Sequence, residues 1–338
     1  MTMARLLRPL AAALLVVFSF PGDVAAQLRT YDSFYAFGDS LADIGNVRLT
    51  SQRLGIDPAP PPSTSPHLTY YNGRFSNGPV AFEYLWELLS GQAPGSAGGL
   101  KAFLAVPILG PRGAVNFAFG GTGTPYVAQT PGGLYAPGLK GQVELFRLAL
   151  RGRRPSTHAL YAIVTGANDY RDDQFNQPMA PADVVDNIVD AVTRLYDLGA
   201  RDVMVLSMPD LGLLPGAGGP GSPESQLSAV HNQLLANALT VLSVRRPKLR
   251  LIQVDINHVF GLLPSGMDVS TPALDAMFPP ESLPPGFKMS LCLFINPATC
   301  ADAPTFETNS EYLFWDAVHP TTDGHRLLGQ YLYDTLQQ

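Results

Sequence analysis

One serine stands where a nucleophile could act, directly after a short apolar run near the start of the chain. The stretch Tyr35–Asn46 reads YAFGDSLADIGN, and the apolar run Phe34–Phe37, which overlaps its start, stops at Gly38. Asp39 and Ser40 follow at once. A serine hydroxyl is a weak nucleophile until a base removes its proton, and that base is usually a histidine held by a carboxylate. Ser40 is therefore a candidate nucleophile if the chain supplies such a pair.

Two of the six histidines follow an aspartate by three residues. One pair is Asp316 and His319, in DAVHP, and the other is Asp255 and His258. Spacing alone does not choose between them. Context favours the first pair, because Pro320 keeps the last helix from starting early and leaves a turn that can hold both side chains. Asp255 ends an apolar strand, where alternation can orient it differently from His258. The other histidines are expected to be surface or structural residues: His67, His158, His231 and His325, the last of them solvated.

Candidate donors for an oxyanion lie in two further stretches. Acyl transfer needs N–H groups aimed at the developing negative charge, and a backbone N–H serves best where no Cβ blocks the approach. Gly120 and Gly121 in NFAFGGTGT and Asn168 in TGANDY are such candidates. Taken alone, the glycines are better explained by a tight turn.

Strand-like and helix-like patterns alternate along the chain and indicate how these residues are positioned. Apolar strand-like runs lie at Phe34–Phe37, Ala114–Ala118, Leu160–Val164, Val203–Ser207 and Leu251–Asp255. Helical patterns lie at Pro79–Leu89, Gly141–Arg151, Ala182–Leu198, Pro223–Val244 and Thr322–Leu336. This alternation predicts an α/β fold with a parallel sheet covered on both faces. Ligands of such sheets bind beyond the carboxyl ends of the strands, which is where Ser40, the glycines and Asn168 fall.

The composition limits the possible partners. Of 338 residues 46% are hydrophobic and only 15% are charged, and the formal net charge is −6. There is no basic block, so we expect no nucleic-acid partner. Oligomeric state is left open.

The first residues have the pattern of an export signal. Arg5 and Arg8 precede the apolar run Leu10–Phe20, and Val24–Ala26 offers small residues for cleavage. We expect a signal peptide over 1–26, one domain over 27–338, and a secreted or periplasmic protein without a stable membrane span after cleavage. Its two cysteines, Cys292 and Cys300, are then expected to form a disulfide.

Four blocks together resemble the GDSL esterase/lipase family, also called SGNH hydrolases, and in particular its larger secreted bacterial members. FGDSLADIGN is similar to the first block of the family, NFAFGGTGT to the second, GANDY to the third and DAVHP to the fifth. They occur in the order of the family and extend over nearly all of the chain after the signal. The stretch Tyr70–Val80, YYNGRFSNGPV, is similar to a segment of the larger members.

This resemblance implies the roles of the site residues. Ser40 would be the nucleophile, His319 its base and later its acid, and Asp316 the group that orients His319. The backbone N–H groups of Ser40 and Gly121 and the amide of Asn168 would form the oxyanion hole, with Gly121 rather than Gly120 matching the family spacing. Asp39 would shape the turn. The family fold is a flavodoxin-like α/β/α sandwich with a central, mainly parallel five-stranded sheet, and it needs no metal or cofactor.

The expected function is that of a secreted serine esterase or lipase acting on a small-molecule or lipid ester through an acyl-enzyme. An acyltransferase using the same site and an inactive binding protein on the same scaffold are the alternatives. No G-x-S-x-G motif occurs, so the nucleophile elbow of α/β-hydrolases is missing. Acyl and alcohol preference stay open, because the aromatic residues that could line a pocket are as well explained as core: Tyr70, Tyr71, Phe75, Tyr126, Phe314 and Trp315.

Overall fold

The first described strand, Ser33–Gly38, lies in the middle of a parallel sheet. The structure is a computed structural model that describes residues 29–106, 113–130, 133–171, 177–307 and 311–338. The predicted signal peptide, 1–26, lies outside the described residues.

The central sheet has six parallel strands in the order β2-β3-β1-β6-β7-β8. Their bounds are β1 Ser33–Gly38, β2 Lys101–Ala102, β3 Ala114–Asn116, β6 Ala159–Val164, β7 Asp202–Leu206 and β8 Arg250–Val254; β4 Val127–Gln129 and β5 Tyr135–Pro137 form a separate antiparallel hairpin. The five predicted strands are all present. The prediction of a five-stranded sheet is wrong by one strand, because β2 has only two residues and no apolar run to reveal it.

Apart from the short edge strand β2, the order of the strands is that of a flavodoxin-like sheet. From β1 the chain moves to β3 on one side and then returns to β6 on the other. The crevice between the carboxyl ends of β1 and β6 is thus the topological switch point, where ligands of open α/β sheets bind. Ser40 follows β1 and Asn168 follows β6, so both lie at this crevice.

Side chains of β1 alternate between two apolar cores. Tyr35 and Phe37 pack in the core under α3 (Leu139–Leu150), α4 (Pro181–Leu198) and α5 (Pro223–Arg245). Phe34 and Ala36 pack in the core under α2 (Ala81–Ser90) and α8 (Thr322–Leu336). Every residue of the strand is buried, because helices cover both faces of the sheet. This is the expected three-layer arrangement.

The five predicted helices are confirmed with shifts of no more than two residues at either end. Three helices that the sequence did not reveal are α1 (Asn46–Arg53), α6 (Ala273–Met277) and α7 (Cys292–Ile295). The 3₁₀ helices are Phe103–Ala105, Ala167–Tyr170, Leu211–Leu213, Ile256–Leu262, Pro280–Ser282, Met289–Leu291 and Pro297–Thr299. A disulfide joins Cys292 to Cys300 and closes the loop that contains α7. Within the described ranges, no helix combines the length and the apolar character that crossing a membrane requires.

Candidate active site

The end of β1 is shaped so that only glycine fits before the Asp39–Ser40 turn. Gly38 has a φ of 145°, and a Cβ there would lie 1.9 Å from the carbonyl oxygen of Val164. The buried side chain of Gln142 holds the same residue from the other side: Gly38 N–H donates to its Oε1 at 2.8 Å, and its Nε2 donates to Gly38 O at 2.8 Å. The strand therefore ends at one defined place, and the following turn carries Ser40 to the rim of the sheet.

Asp39 stabilises this turn. Its carboxyl oxygen accepts the backbone N–H of Leu41 at 3.0 Å, and its carbonyl oxygen accepts the N–H of Asp43 at 2.9 Å. Burial raises the pKa of Asp39 to about 7. These contacts agree with the expected role of Asp39 in shaping the turn.

Ser40, His319 and Asp316 are joined by two short hydrogen bonds. Ser40 Oγ lies 2.8 Å from His319 Nε2, and His319 Nδ1 lies 2.7 Å from Asp316 Oδ2. A carboxylate can only accept, so Nδ1 carries the proton and Nε2 can accept from the serine hydroxyl. All three residues are buried, with Ser40 the most exposed at 9%. The sequence-predicted nucleophile, base and orienting acid thus lie within hydrogen-bond reach of one another, in the order that general-base activation of a serine requires.

Asp316 is held by four hydrogen bonds. Its Oδ1 accepts the backbone N–H groups of Val318 at 2.9 Å and of His319 at 2.8 Å. Its Oδ2 accepts from His319 and from the hydroxyl of Tyr70, the latter at 2.7 Å. Burial, followed by the neighbouring Asp316, raises the pKa of Tyr70 well above its usual value, so the hydroxyl remains a donor. Tyr70 therefore orients the acid instead of lining a pocket.

The imidazole of His319 lies between two aromatic rings. Phe294 of α7 stacks on it with a centroid distance of 6.0 Å and an interplanar angle of 11°, and Phe75 lies 5.2 Å away at 42°. Phe75 also explains Gly120, because a Cβ at that glycine would lie 2.1 Å from the Phe75 ring. The histidine is thus restricted by packing as well as by its hydrogen bonds.

The contacts distinguish Gly120 from Gly121 as a candidate oxyanion donor. The N–H of Gly120 donates to Asp43 Oδ2 at 2.9 Å and is therefore engaged. Gly121 has a φ of 75°, and within the described residues neither its N–H nor that of Ser40 has an acceptor. Both residues line the same cavity as His319. The free N–H groups are those of Gly121 and Ser40, in agreement with the choice of Gly121.

Asn168 supplies a third free donor. In the 3₁₀ helix Ala167–Tyr170, its Nδ2 donates one hydrogen to Thr122 O at 3.1 Å, and its Oδ1 accepts from Arg171 at 3.2 Å. These two contacts set the direction of the amide. Because a carboxamide carries two N–H groups, one remains for a ligand in the cavity that Asn168 lines.

Asp169 fastens the glycine loop to the loop of Asn168. Its carboxyl group accepts the backbone N–H of Thr124 at 2.9 Å and the hydroxyl of Thr124 at 2.8 Å. A Cβ at Gly123 would lie 2.6 Å from this carboxyl, so the loop can come this close to Asp169 only because residue 123 is a glycine. Burial raises the pKa of Asp169 to about 6. The sequence pattern contained Asp169 but did not reveal this partner, nor the roles of Tyr70, Gln142 and Asp43.

The site opens into a cavity of about 530 Å³, a size usual for ligand sites. Ser40, Gly121, Asn168 and His319 lie in its wall, which is otherwise largely apolar. The apolar lining includes Leu41, Leu214, Leu227, Ile256, Phe260 and Leu328. In the ranges that the structure describes, no group of three or more histidine, cysteine, aspartate or glutamate side chains is placed to hold a metal ion.

The alternative pair, Asp255 and His258, is not assembled for proton transfer. The Asp255 carboxyl bonds to Ser207 and Asn257, and the His258 ring stacks on Tyr331 with a centroid distance of 5.1 Å. The choice of the other pair from context therefore agrees with the geometry.

One of the remaining histidines differs from expectation, and the structure decides between pocket and core for the aromatic residues. The expectation that His325 is solvated is wrong, because its helix packs on α2 and leaves the side chain only 1% exposed. Among the aromatic residues, Phe75 and Phe314 line the cavity. Trp315 is a core residue whose Nε1 donates to Thr69 O at 3.1 Å. The aromatic residues outside the cavity lining also include Tyr71, which contacts Phe306, and Tyr126, which lies under Lys140 and Arg194.

A family model described as GDSL-like Lipase/Acylhydrolase matches residues 34–332 of the chain. This chain belongs to that family. Its site residues lie on the matched segment, which contains all four sequence blocks. The GDSL family consists of enzymes that act on carboxylic esters, and this member is accordingly a carboxylic ester hydrolase or an acyltransferase.

Two relatives at 30% identity support the assignment. The chain is 30% identical over 345 residues to a phosphatidylcholine-sterol acyltransferase of Aeromonas hydrophila, covering 91% of this chain and 93% of the relative. It is also 30% identical to the esterase EstA of Pseudomonas aeruginosa, with 98% of this chain covered but only 50% of the relative. A crystal structure of a member of the lipolytic G-D-S-L family from Veillonella parvula is similar with a TM-score of 0.40 and 11% identity, covering 89% of this chain and 96% of the other.

Proposed function

We propose that this GDSL-family protein is a serine ester hydrolase that works through an acyl-enzyme on Ser40. The observation that carries the proposal is the hydrogen-bonded series Ser40–His319–Asp316 in the wall of an apolar cavity that three free N–H donors also line.

In the first half of the reaction, His319 Nε2 takes the proton of Ser40 while Oγ attacks the ester carbonyl. Negative charge develops on the carbonyl oxygen, and the N–H groups of Ser40, Gly121 and Asn168 donate to it. Asp316 stabilises the imidazolium that forms. His319 then returns the proton to the leaving alcohol, and the acyl group remains on Ser40.

In the second half, a water molecule occupies the place of the alcohol. His319 removes a proton from the water, which attacks the acyl-enzyme, and the same three donors hold the second oxyanion. The proton then passes to Ser40 Oγ, which leaves, and the acid is released. The packing of Phe75 and Phe294 against His319 keeps the base in place through both halves.

Ser40→Ala tests the catalytic assignment. The purified variant is expected to lose nearly all hydrolysis of p-nitrophenyl butyrate and to resist labelling by a serine-reactive organophosphate. The wild-type protein should be labelled once, on Ser40, as seen by peptide mass spectrometry. If the alanine variant kept wild-type turnover, the assignment of Ser40 as nucleophile would be wrong. If the wild type were neither labelled nor active, the chain would be a binding protein on this scaffold.

The acyl group is proposed to be an apolar chain, because the cavity beside Ser40 is lined mainly by aliphatic and aromatic side chains. A series of p-nitrophenyl esters of rising chain length measures the preference. Leu263→Trp, in the cavity wall, should shorten the longest chain accepted, whereas its exposed neighbour Leu262, 47% exposed, is the matched control for tryptophan substitution. If the two tryptophan variants accepted the same longest chain, the proposal that the acyl chain lies in this cavity would be contradicted.

Transfer of the acyl group to an alcohol is the second candidate. It is supported by the similarity to a phosphatidylcholine-sterol acyltransferase over 93% of that relative. In this reaction an alcohol takes the place of water at the acyl-enzyme. Product analysis in the presence of a long-chain alcohol distinguishes the two activities, because a transferase forms the new ester even where water is in excess.

Export through the first 26 residues is proposed from the pattern of arginines, apolar run and small residues at the start of the chain. Expression of the whole chain in a bacterial host, followed by fractionation and sequencing of the amino terminus, tests it. A mature protein outside the cytoplasm that begins at Gln27 is expected, and an uncleaved cytoplasmic protein would contradict the proposal.

A further inference from the structure

Arg171 contacts one of the proposed oxyanion donors, although the proposed reaction gives it no part. It directly follows the 3₁₀ helix Ala167–Tyr170, and it is half-buried in the wall of the cavity that Asn168 also lines. Its backbone N–H donates to Asn168 O at 3.4 Å, a bond across three residues that closes a 3₁₀ turn. Side chains three residues apart in such a turn lie one above the other, so the local backbone brings the guanidinium to the amide.

The guanidinium of Arg171 holds two acceptors at once. Its Nη1 donates to Asn168 Oδ1 at 3.2 Å, and its Nη2 donates to the backbone O of Gln129 at 3.2 Å. Gln129 is the last residue of β4, so the arginine joins the β4–β5 hairpin to the asparagine of the oxyanion hole. A planar guanidinium presents its donors in a fixed fork, and binding both acceptors therefore fixes where Asn168 Oδ1 lies.

The contact with Thr122 completes the orientation of the Asn168 amide. Asn168 Nδ2 donates one hydrogen to Thr122 O at 3.1 Å. If the amide turned by 180°, two oxygens would face each other at Thr122 and two donors would face each other at Arg171, and neither pair can form a hydrogen bond. The second hydrogen of Nδ2 is thus the one that remains for the oxyanion.

The contact with Arg171 also strengthens this amide as a donor. A hydrogen bond from a charged group is about twice as strong as one between neutral groups. It draws electrons toward Asn168 Oδ1, and conjugation across the amide makes each N–H group a better donor, by about 10–30% per bond in a hydrogen-bonded chain. The gain is largest when the acceptor carries negative charge, as the oxyanion does in the transition state.

We propose that Arg171 is a positioning residue that acts through Asn168, because it orients the amide and strengthens its free N–H as a donor to the oxyanion. The proposal rests on the proposed function, since it requires an oxyanion at this place. An arginine that only ties the hairpin to the loop after β6 would have the same effect whether or not the Asn168 amide is present. The dependence on Asn168 is therefore what the test must measure.

A double-mutant cycle measures this dependence. Its four proteins are the wild type, Arg171→Met, Asn168→Ala and the variant with both changes. With Asn168 present, Arg171→Met should lower kcat for p-nitrophenyl butyrate by about tenfold and leave KM within about twofold, because a donor that is poorly held costs less than the loss of about 10²–10³ for a missing one. In the Asn168→Ala background, Arg171→Met should change kcat by less than about twofold.

The rate is expressed per active serine, so that unfolded protein does not enter it. Labelling by a serine-reactive organophosphate, taken to completion, counts the active serines. Arg201→Met is the matched control: Arg201 is also half-buried and donates from Nη1 to Ala200 O at 2.6 Å and to Tyr196 O at 3.3 Å, but it does not line the cavity. Its replacement should leave kcat within about twofold in both backgrounds, because no contact to an oxyanion donor is lost.

Arg171→Lys is the conservative variant. The ammonium keeps the positive charge but lacks the planar fork that holds Asn168 Oδ1 and Gln129 O together. Its kcat should lie between those of Arg171→Met and the wild type, at a loss of about threefold that disappears in the Asn168→Ala background. This variant decides the question where the methionine variant does not fold, and a wild-type kcat for it would overturn the proposal.

The outcomes separate the role of Arg171 from the proposed function. If the wild type does not hydrolyse the ester, or Ser40→Ala retains its rate, the proposed function is wrong and the role of Arg171 falls with it. If hydrolysis requires Ser40 but Arg171→Met keeps the wild-type kcat, only the role of Arg171 is overturned. An equal loss with and without the Asn168 amide also overturns it, because Arg171 would then act through the fold of its loop.

Discussion

Replacing Asn168 by alanine removes one of three donors from the proposed oxyanion hole and leaves the other two in place. The amide donates one hydrogen to Thr122 O at 3.1 Å, so a single N–H is available to the substrate. The expected effect is therefore that of one donor, a loss of about 10²–10³ in kcat or roughly 3–4 kcal/mol of barrier. The N–H groups of Ser40 and Gly121 belong to the backbone and remain.

The loss should fall on kcat and not on KM. The donor interacts more strongly with the oxyanion of the transition state than with the carbonyl of the bound ester, so its removal raises the barrier with little effect on ground-state binding. The variant also loses the hydrogen bond to Thr122 and the contact with Arg171. We expect these losses to lower the free energy of unfolding by about 1 kcal/mol, so the protein remains folded.

Steady-state hydrolysis of p-nitrophenyl butyrate measures kcat and KM, and circular dichroism during heating measures stability. Asn187→Ala is the matched control, because Asn187 on α4 donates to Thr124 Oγ1 at 3.1 Å and supports the same glycine loop without lining the cavity. A similar loss of stability with kcat within about threefold of wild type is expected for the control, since no donor to the oxyanion is removed. A folded Asn168→Ala variant with a kcat equally close to wild type would refute the assignment of Asn168.

Three further changes test how the site is built. Gln142→Leu leaves the buried N–H and carbonyl of Gly38 without partners and should lower the free energy of unfolding in urea by about 1–3 kcal/mol per group, whereas a loss below about 0.5 kcal/mol would show that the pair is not needed. Asp39, with its pKa raised by burial to about 7, binds its proton more tightly when folded, so its ionisation costs stability as pH rises from about 4 to about 7. Asp39→Asn should therefore be more stable than wild type above that pH range, by on the order of 1–4 kcal/mol, and equally stable below it. Urea titrations at one pH above the range and one pH below it measure the two differences, and equal differences would contradict this. Replacing Cys292 and Cys300 together by serine opens a short loop and should cost about 2–3 kcal/mol, as measured by urea unfolding against the oxidised wild type; equal midpoints would contradict it.

Local patterns of apolar residues in the sequence were sufficient to predict most of the strands and helices. Strands β1, β3, β6 and β7 are buried at every position because helices cover both faces of the sheet, and this burial gives their apolar runs. Helix α4 has its apolar positions at helical spacing between Pro181 and Gly199. These signals depend on burial and on the period of each element, both of which are written in consecutive residues. Strand β2 escaped prediction because two residues at an edge have neither a period nor an apolar run.

The sequence by itself determined which residue types could act. The four blocks identified Ser40, His319 and Asp316, and the structure places them within hydrogen-bond reach of one another. The Asp–His pair was accessible because its two members are only three positions apart and Pro320 sets the turn between them and the last helix.

Only the tertiary structure decided how these residues are held and what surrounds them. Tyr70 donates to Asp316 from 246 positions away, and Gln142 bonds to Gly38 across 104 positions. Burial of His325 likewise follows from packing of α8 on α2, and not from the polar first turn in which it stands. Spacing along one chain carries no signal for such pairs, because hydrogen-bond partners and burial depend on which segments the fold brings together.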